Sequence, residues 1–138
     1  MEIKIFTSEL QDKFFYGEMG YFFGEKSIRQ EMGGWQIYNK PNATWFVCYD
    51  GLKIVGFCAM YSESTHILFD NFYVLPEERK RGISNLLFDK RMDFCKQFDV
   101  ELRAITDNPI QMRHYKRWEF EEYGKRGRYT KYRRFSND

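Results

Sequence analysis

The sequence predicts an α+β (α/β) fold, with a mixed, mostly antiparallel central sheet carrying helices on both faces. Three observations predict it. Three strand-patterned segments follow one another between residues 44 and 74, joined by short turns. Beyond Gly82 the apolar period becomes helical. A strand, a helix and two closing strands then follow, and a strand–helix–strand crossover after a meander implies a mixed sheet with helices on its faces.

Residues 2–6 alternate polar and apolar, as a short first strand does. Thr7 and Ser8 can cap a helix running to about Phe15, and Gly17 and Gly20 interrupt any longer one. Residues 16–24, aromatic and glycine-rich, read as a mobile, substrate-facing loop. A second helix spans about 25–32 and stops at Gly33 and Gly34.

The middle of the chain is the clearest. Residues 44–49 form a strand, Asp50 and Gly51 a hairpin turn, and residues 53–61 the antiparallel partner. After a turn at 62–65, residues 66–74 form a third strand, which Pro76 ends because proline cannot donate to a continuing ladder. In the following helix Ile83, Leu86, Leu87, Phe94 and Phe98 share one face, with Asp89, Lys90, Asp93 and Lys96 largely opposite. Residues 101–106 form a strand. Asn108 is a good N-cap, with Pro109 preset at the first position of a helix ending near Arg117. Residues 120–123 and 128–132 close the chain as two strands around a loop at 124–127. The expected order is β-α-α-β-β-β-α-β-α-β-β, a single domain over residues 1–138.

Composition bounds the function. Apolar residues make up 43% and aromatics 20%, enough for a packed core. A net charge of +2 gives no overall argument for a nucleic-acid partner. Nine Lys/Arg against three Glu between residues 113 and 134 do make a locally basic region. Such a region meets phosphates of a cofactor or of nucleic acid, or is a solvated strand and tail. Cys48, Cys58 and Cys95 lack C-x-x-C spacing and sit in apolar segments, as small buried hydrophobes in a reducing compartment do. No stretch approaches the roughly 20 apolar residues a membrane helix needs, and the N-terminus has no secretory pattern. The expectation is a soluble, cytoplasmic protein without a membrane partner.

The chemistry concentrates at 74–84, VLPEERKRGIS, where a strand ends, a loop turns and a helix begins. A helix N-terminus presents unpaired N–H groups and partial positive charge, which suits a phosphate. Gly82 lets an anion approach the backbone, Ser84 can add a hydroxyl donor, and Arg79, Lys80 and Arg81 raise the local positive potential. The chain has neither G-x-x-x-x-G-K-[ST] nor G-x-G-x-x-G, so a nucleotide-hydrolysing loop is excluded. An ordinary turn with solvated basic residues fits the loop alone equally well.

Val74, Pro76, Glu77, Arg79 and Gly82 stand in the register of motif A of the GCN5-related N-acetyltransferase (GNAT) superfamily, which this stretch resembles. Ser84 departs from its last glycine or alanine. The preceding DNFYV (70–74) is similar to the E-D-x-[FY]-V strand of polyamine-type members. Asn108, Tyr115 and Phe120 keep the spacing of the family's distal N-x-x-A-x-x-x-Y-x-x-x-G-F, with Gln111 for the small residue and Glu119 for the glycine. The element order matches too, so the resemblance covers nearly the whole chain.

The resemblance implies that acetyl-CoA is the acyl donor. The backbone of Phe72, Tyr73 and Val74 would bond its pantetheine arm like an added strand and polarise the thioester carbonyl. The amides from Arg81 through Ile83 to Ser84 would hold its pyrophosphate. Asn108 would touch the cofactor arm, or serve as a plain helix cap. Tyr115 corresponds to the family's acid, protonating the departing thiolate, or is a core aromatic. Asp70 is the candidate base that takes the amine proton directly or through water, alternating with His66 and Phe72 on one strand face, and Glu101 is a second. Either carboxylate can instead be an ion-pair partner of the basic residues. His66 and His114 read as structural, Cys58 and Cys95 lack a nucleophile motif, and no cluster has metal spacing.

In this fold acceptors lie between the loop joining the first helices and the last hairpin, here aromatic residues 16–24 and basic residues 125–128, with Trp35 and Trp45 as core or wall. The aromatic and basic walls pull toward different acceptors, so the acceptor stays open: a small amine or a protein amino group. A nucleic-acid-directed protein and a catalytically degenerate CoA-binding module are the rival readings, and a homodimer is compatible with all three.

Overall fold

The chain runs β1 (Glu2–Phe6), α1 (Lys13–Gly24), α2 (Lys26–Glu31), β2 (Ala43–Asp50), β3 (Lys53–Ser62), β4 (His66–Val74), a 3₁₀ turn (Pro76–Glu78), α3 (Ile83–Cys95), β5 (Glu101–Thr106), α4 (Pro109–Arg117), β6 (Glu121–Arg126) and β7 (Tyr129–Phe135). This computed structural model describes residues 1–7, 13–32 and 39–138. The expected cap at Ser8, the stop at Gly33 and Gly34, and Trp35 lie outside the described residues.

Among the described residues the strands form one sheet in the order β1-β2-β3-β4-β5-β7-β6. β4 and β5 are parallel and every other pair is antiparallel. β2 and β3 are buried along nearly their whole length, because both faces of the sheet are covered. On one face Phe46, Val55, Cys58 and Phe69 pack against Ile83, Leu87, Phe88 and Met92 of α3 and Tyr115 of α4. On the other, Trp45, Phe57, Ala59 and Tyr73 pack against Phe15, Met19 and Phe22 of α1 and Ile28 of α2.

Three expectations change. Residues 16–24 are helix, not loop. Phe15, Met19 and Phe22 repeat at i, i+4 and i+7 and are buried, with the Phe22 and Phe57 rings edge-to-face at 5.2 Å. Gly17, Gly20 and Gly24 face open space, where each costs about 1 kcal/mol against alanine. Burying each large apolar chain contributes about 1.5–3 kcal/mol, which outweighs them.

The buried stripe of α3 is Ile83, Leu87, Phe88, Arg91, Met92 and Cys95. Leu86 is instead exposed, and Phe98 lies beyond the helix end with partial exposure. The closing hairpin extends through residues 124–126, with a bulge between Glu122 and Gly124 and its turn at Gly127, where φ is +61°.

Candidate active site

β4 and β5 pair only over His66–Leu68 and Glu101–Arg103. Beyond that point β5 turns to β7 and β4 continues along β3, so the sheet splays between them. A cleft of about 1280 Å³ opens there, lined by Asp70, Phe72, Gly82, Ser84, Asn108 and Tyr115 among others.

A bulge shapes the β4 wall. Tyr73 pairs with Phe57 and Asp70 with Ala59, so Asn71 and Phe72 together face Cys58. Asn71 takes a left-handed φ of +54°. Its backbone N–H donates to Asp70 Oδ1 at 2.8 Å, and its side-chain amide donates to the Tyr61 hydroxyl. The bulge breaks the expected alternation. Leu68 packs on the α1/α2 core and Phe72 on the α3 core, so Asp70 and Phe72 do not share a face.

Asp70 is open to solvent at the cleft, but the surrounding walls desolvate it and raise its pKa from the ordinary carboxylate value, opposed by the Asn71 N–H, Arg91 and Lys40. A raised carboxylate lies closer to the pH at which a base works best. Glu101 sits at the other end of β5 beside His66, bridged to Arg103 at 2.8 Å, and does not line this cleft. It leaves the site.

Tyr115 stacks on Tyr132 at 4.9 Å and meets Phe88 and Phe120 edge-on, deep in the cleft wall. Burial pushes its phenol up to about 12, with Arg91 pulling the other way. Asn108 Oδ1 accepts from Ile110 N at 2.9 Å and Gln111 N at 3.2 Å, so the side chain caps α4 and its Nδ2 amide is left at the cleft rim.

The loop before α3 has a backbone shape that suits an anion, while its arginines are engaged within the protein. Lys80 has φ +72° and Gly82 φ +79°, and Gly82 caps α3 without any side-chain hydrogen bond. The first-turn N–H groups are therefore uncapped, in the concave arrangement that alternating left-handed residues produce. Nothing lies within 4 Å of where a Gly82 Cβ would sit, so the mouth is open.

The flanking arginines are engaged within the protein. Arg79 donates to Val74 O at 3.0 Å and Glu31 Oε2 at 2.6 Å, and Tyr73 OH donates to the same carboxylate. Arg81 bridges Asp50 at 3.2 Å and Glu78. Lys80 is exposed at the cleft and joins no ion pair among the described residues. Ile83 contributes only its backbone, its side chain being buried. Ser84 Oγ meets His114 Nε2 at 2.6 Å.

The basic C-terminal region is likewise partly engaged, through Arg117–Asp89, Arg128–Asp107 and Arg133–Glu121, which weakens a phosphate-binding face there. The three thiols are buried and free, and burial pushes Cys58 to about 11 and Cys95 to about 12, away from nucleophilic use.

Sequence reasoning missed Arg91. It lies on the buried stripe of α3, is 1% exposed and lines the cleft. A charge on the apolar face of a helix, eight residues after Ile83 and four after Leu87, was its signal.

Comparison with known proteins agrees with this architecture. Residues 41–122 match the acetyltransferase (GNAT) domain family. No curated protein is significantly similar to the chain. Among solved structures, an acyl-CoA N-acyltransferase from Pseudomonas aeruginosa superposes with a TM-score of 0.74 at 9% identity, over 96% of this chain and 98% of that one. PaiA N-acetyltransferase from Thermoplasma acidophilum, solved in complex with coenzyme A, gives 0.68 at 14% identity, over 98% and 99%. The ribosomal-protein-S18-alanine N-acetyltransferase from Escherichia coli gives 0.66 at 13%, over 96% and 91%. At these identities the likeness is one of fold, and the fold agrees over nearly the whole length. The splayed β4–β5 pair, the bulged β4 and the uncapped glycine start to α3 lie within the greater part of the chain that matches the family, and on that match this chain belongs to the GNAT acetyltransferases.

Proposed function

We propose that the chain is a single acyltransferase unit that transfers an acetyl group from acetyl-CoA to a primary amine by direct attack in a ternary complex. One observation carries this reading: the uncapped α3 N-terminus at Gly82 opens onto the same cleft as Tyr115 and Asp70. The amides of Gly82, Ile83 and Ser84, aided by Lys80, hold the pyrophosphate. Backbone groups of Phe72, Tyr73 and Val74 hold the pantetheine arm, and Asn108 Nδ2 contacts it from the opposite wall. The complex of the Thermoplasma protein with coenzyme A supports the choice of donor.

Asp70 takes a proton from the ammonium through water, since an amine protonated below a pKa of about 10.4 is not a nucleophile. The freed amine attacks the thioester carbonyl, the C–N bond forms, the nitrogen loses its second proton to solvent and the C–S bond breaks. Tyr115 gives its proton to the departing thiolate. The three buried thiols suit a reducing compartment such as the cytoplasm.

Calorimetric titration with acetyl-CoA tests the reading. Saturable binding is expected, and Gly82→Asp, which sets a carboxylate against the pyrophosphate, abolishes it. No binding by the wild-type protein, or equal binding by Gly82→Asp, rejects the cradle.

A further inference from the structure

Arg91 is a permanently charged guanidinium in the interior, with one hydrogen bond where five N–H donors need partners. Nη1 donates to the Ala59 carbonyl at 3.0 Å. Nε and Nη2 are buried and make no hydrogen bond of good geometry among the described residues, while the Tyr115 hydroxyl is close enough for Arg91 to pull its pKa down. The group is packed by rings instead, centred 3.9 Å from Phe69, 5.1 Å from Phe88 and 5.3 Å from Phe72. Leaving such a cation underbonded is costly, and a well-packed apolar side chain of similar volume is often neutral or stabilising in the place of buried charge. Retaining it points to an anion that arrives during function.

Its position says which anion. Arg91 reaches from α3 toward the notch where β4 leaves β5, and both Arg91 and Tyr115 line the cleft at that notch. The titratable and charged groups around it are Asp70 of β4, Cys58 of β3, Cys95 of α3, Tyr115 and His114 of α4 and, on the far rim, Lys40. Asp70 makes no ion pair with Arg91 within 4 Å among the described residues, its Oδ1 being held by the Asn71 N–H. Asp70 is also neutralised when it accepts the amine proton. Arg91 then remains as the uncompensated charge beside the phenol.

We infer that Arg91 is a positioning residue that acts through Tyr115, its fixed positive charge stabilising the negative charge that acyl transfer leaves on the coenzyme A sulfur. This rests on the acetyl-CoA reading above. The balance is simple. The amine nitrogen bonds the acyl carbon and sheds its second proton to solvent, the C–S electron pair leaves with sulfur as a thiolate beside the Tyr115 hydroxyl, and Tyr115 passes it a proton as coenzyme A departs, the phenol being refilled by the proton that Asp70 took. Arg91 holds down the energy of the phenol–thiolate pair while that proton is in flight.

The test uses the product, so the acceptor need not be known. Coenzyme A and acetyl-CoA are titrated into the full chain at pH 7.5 in buffers of different ionisation enthalpy, which counts protons released on binding. The two ligands share every phosphate and differ in the free thiol, so their difference isolates the sulfur. A thiol brought from about 8.5 to 7.5 goes from roughly a tenth to half ionised and releases about 0.4 of a proton at this pH, and more if it falls lower. The wild-type protein is expected to release that excess with coenzyme A. Arg91→Met is expected to bind both ligands but lose the excess, and Arg91→Lys to retain part of it. A purely structural Arg91 would leave the excess unchanged in Arg91→Met, which overturns the inference. So does a wild-type protein that binds both ligands without any excess, a result that stands even if Arg91→Met fails to fold. If neither ligand binds, the acetyl-CoA reading itself fails and takes this inference with it.

Discussion

His114 Nε2 lies 2.6 Å from Ser84 Oγ, while His114 Nδ1 lies 3.2 Å from Arg117 Nη2. Arginine only donates, so Nδ1 must be the bare nitrogen and Nε2 must carry the proton. His114 therefore donates to Ser84, and the serine proton is free to turn toward the α3 mouth. A base-activated serine nucleophile would need the opposite tautomer. The pair is thus not a hydrolytic dyad, and under the acetyl-CoA function proposed above it aims a hydroxyl at the pyrophosphate.

A first prediction concerns acid stability. Burial, reinforced by Arg117, lowers the His114 pKa to about 4, against an ordinary value near 6.5. The fold prefers the neutral ring, so this stability is fully present above about pH 6.5 and is lost as pH falls toward 4. The gap corresponds to roughly 3 kcal/mol. His114→Phe keeps the stacking on Phe88, which is 4.8 Å away at 18°, and removes the titration. Urea unfolding from pH 7 to 4 should show wild type losing about that much relative to the mutant. A difference that stays constant with pH refutes the assignment.

A second prediction concerns donor affinity. Ser84→Ala removes one hydrogen bond to an anion and should weaken coenzyme A binding by about 1–2 kcal/mol, roughly 5- to 30-fold. His114→Phe should weaken it less, because the hydroxyl remains but is no longer aimed. The double mutant should match Ser84→Ala, since the histidine acts through the serine. Additive losses by calorimetry would show two independent roles.

A third prediction concerns the packing that sets the α3 mouth. A Cβ on Gly56 would stand 3.0 Å from Tyr73 O and 3.2 Å from both Ile83 Cγ2 and Leu87 Cδ1. The backbone oxygen cannot give as a side chain can. Gly56→Ala should cost about 1–3 kcal/mol in denaturant unfolding and shift the first turn of α3 outward, weakening coenzyme A binding as well. Unchanged stability would mean that α3 has slack the distances do not show.

The elements legible from sequence were those whose period and punctuation agree. Asp50 and Gly51, Pro76, and Asn108 followed by Pro109 each marked a boundary that the structure keeps within a residue or two. α1 was not legible, because its three glycines carry local signals against a helix while its support comes from Trp45 and Phe57, distant in sequence. The loop 79–84 was located from its residues, yet its charge was misjudged. Arg79 and Arg81 are neutralised by Glu31, Asp50 and Glu78, and no local pattern connects residue 31 or 50 to this loop. Asp70 was assigned a face by strict alternation, which a one-residue bulge overturns. Arg91 and the Ser84–His114 pair exist only once α3, α4 and β4 converge.

The last prediction concerns Glu119, which stands where the family motif has glycine. α4 ends in a Schellman arrangement: Phe120 N donates to Tyr115 O at 2.8 Å, Glu119 N to Lys116 O at 3.0 Å, and the Tyr115 and Phe120 rings meet at 4.9 Å. The residue between cap and staple must be left-handed, and Glu119 has φ +60°. A non-glycine residue bears about 1–2 kcal/mol there. Glu119→Gly regains part of that but loosens the unfolded chain by up to about 1 kcal/mol, so a net gain of a few tenths to 1 kcal/mol is expected from thermal or urea unfolding. Its side chain makes no hydrogen bond or ion pair among the described residues that the change would remove. Glu119→Val, β-branched at the same φ, should instead destabilise. Equal stability of all three would show that the turn adapts, and that the departure from glycine carries no strain.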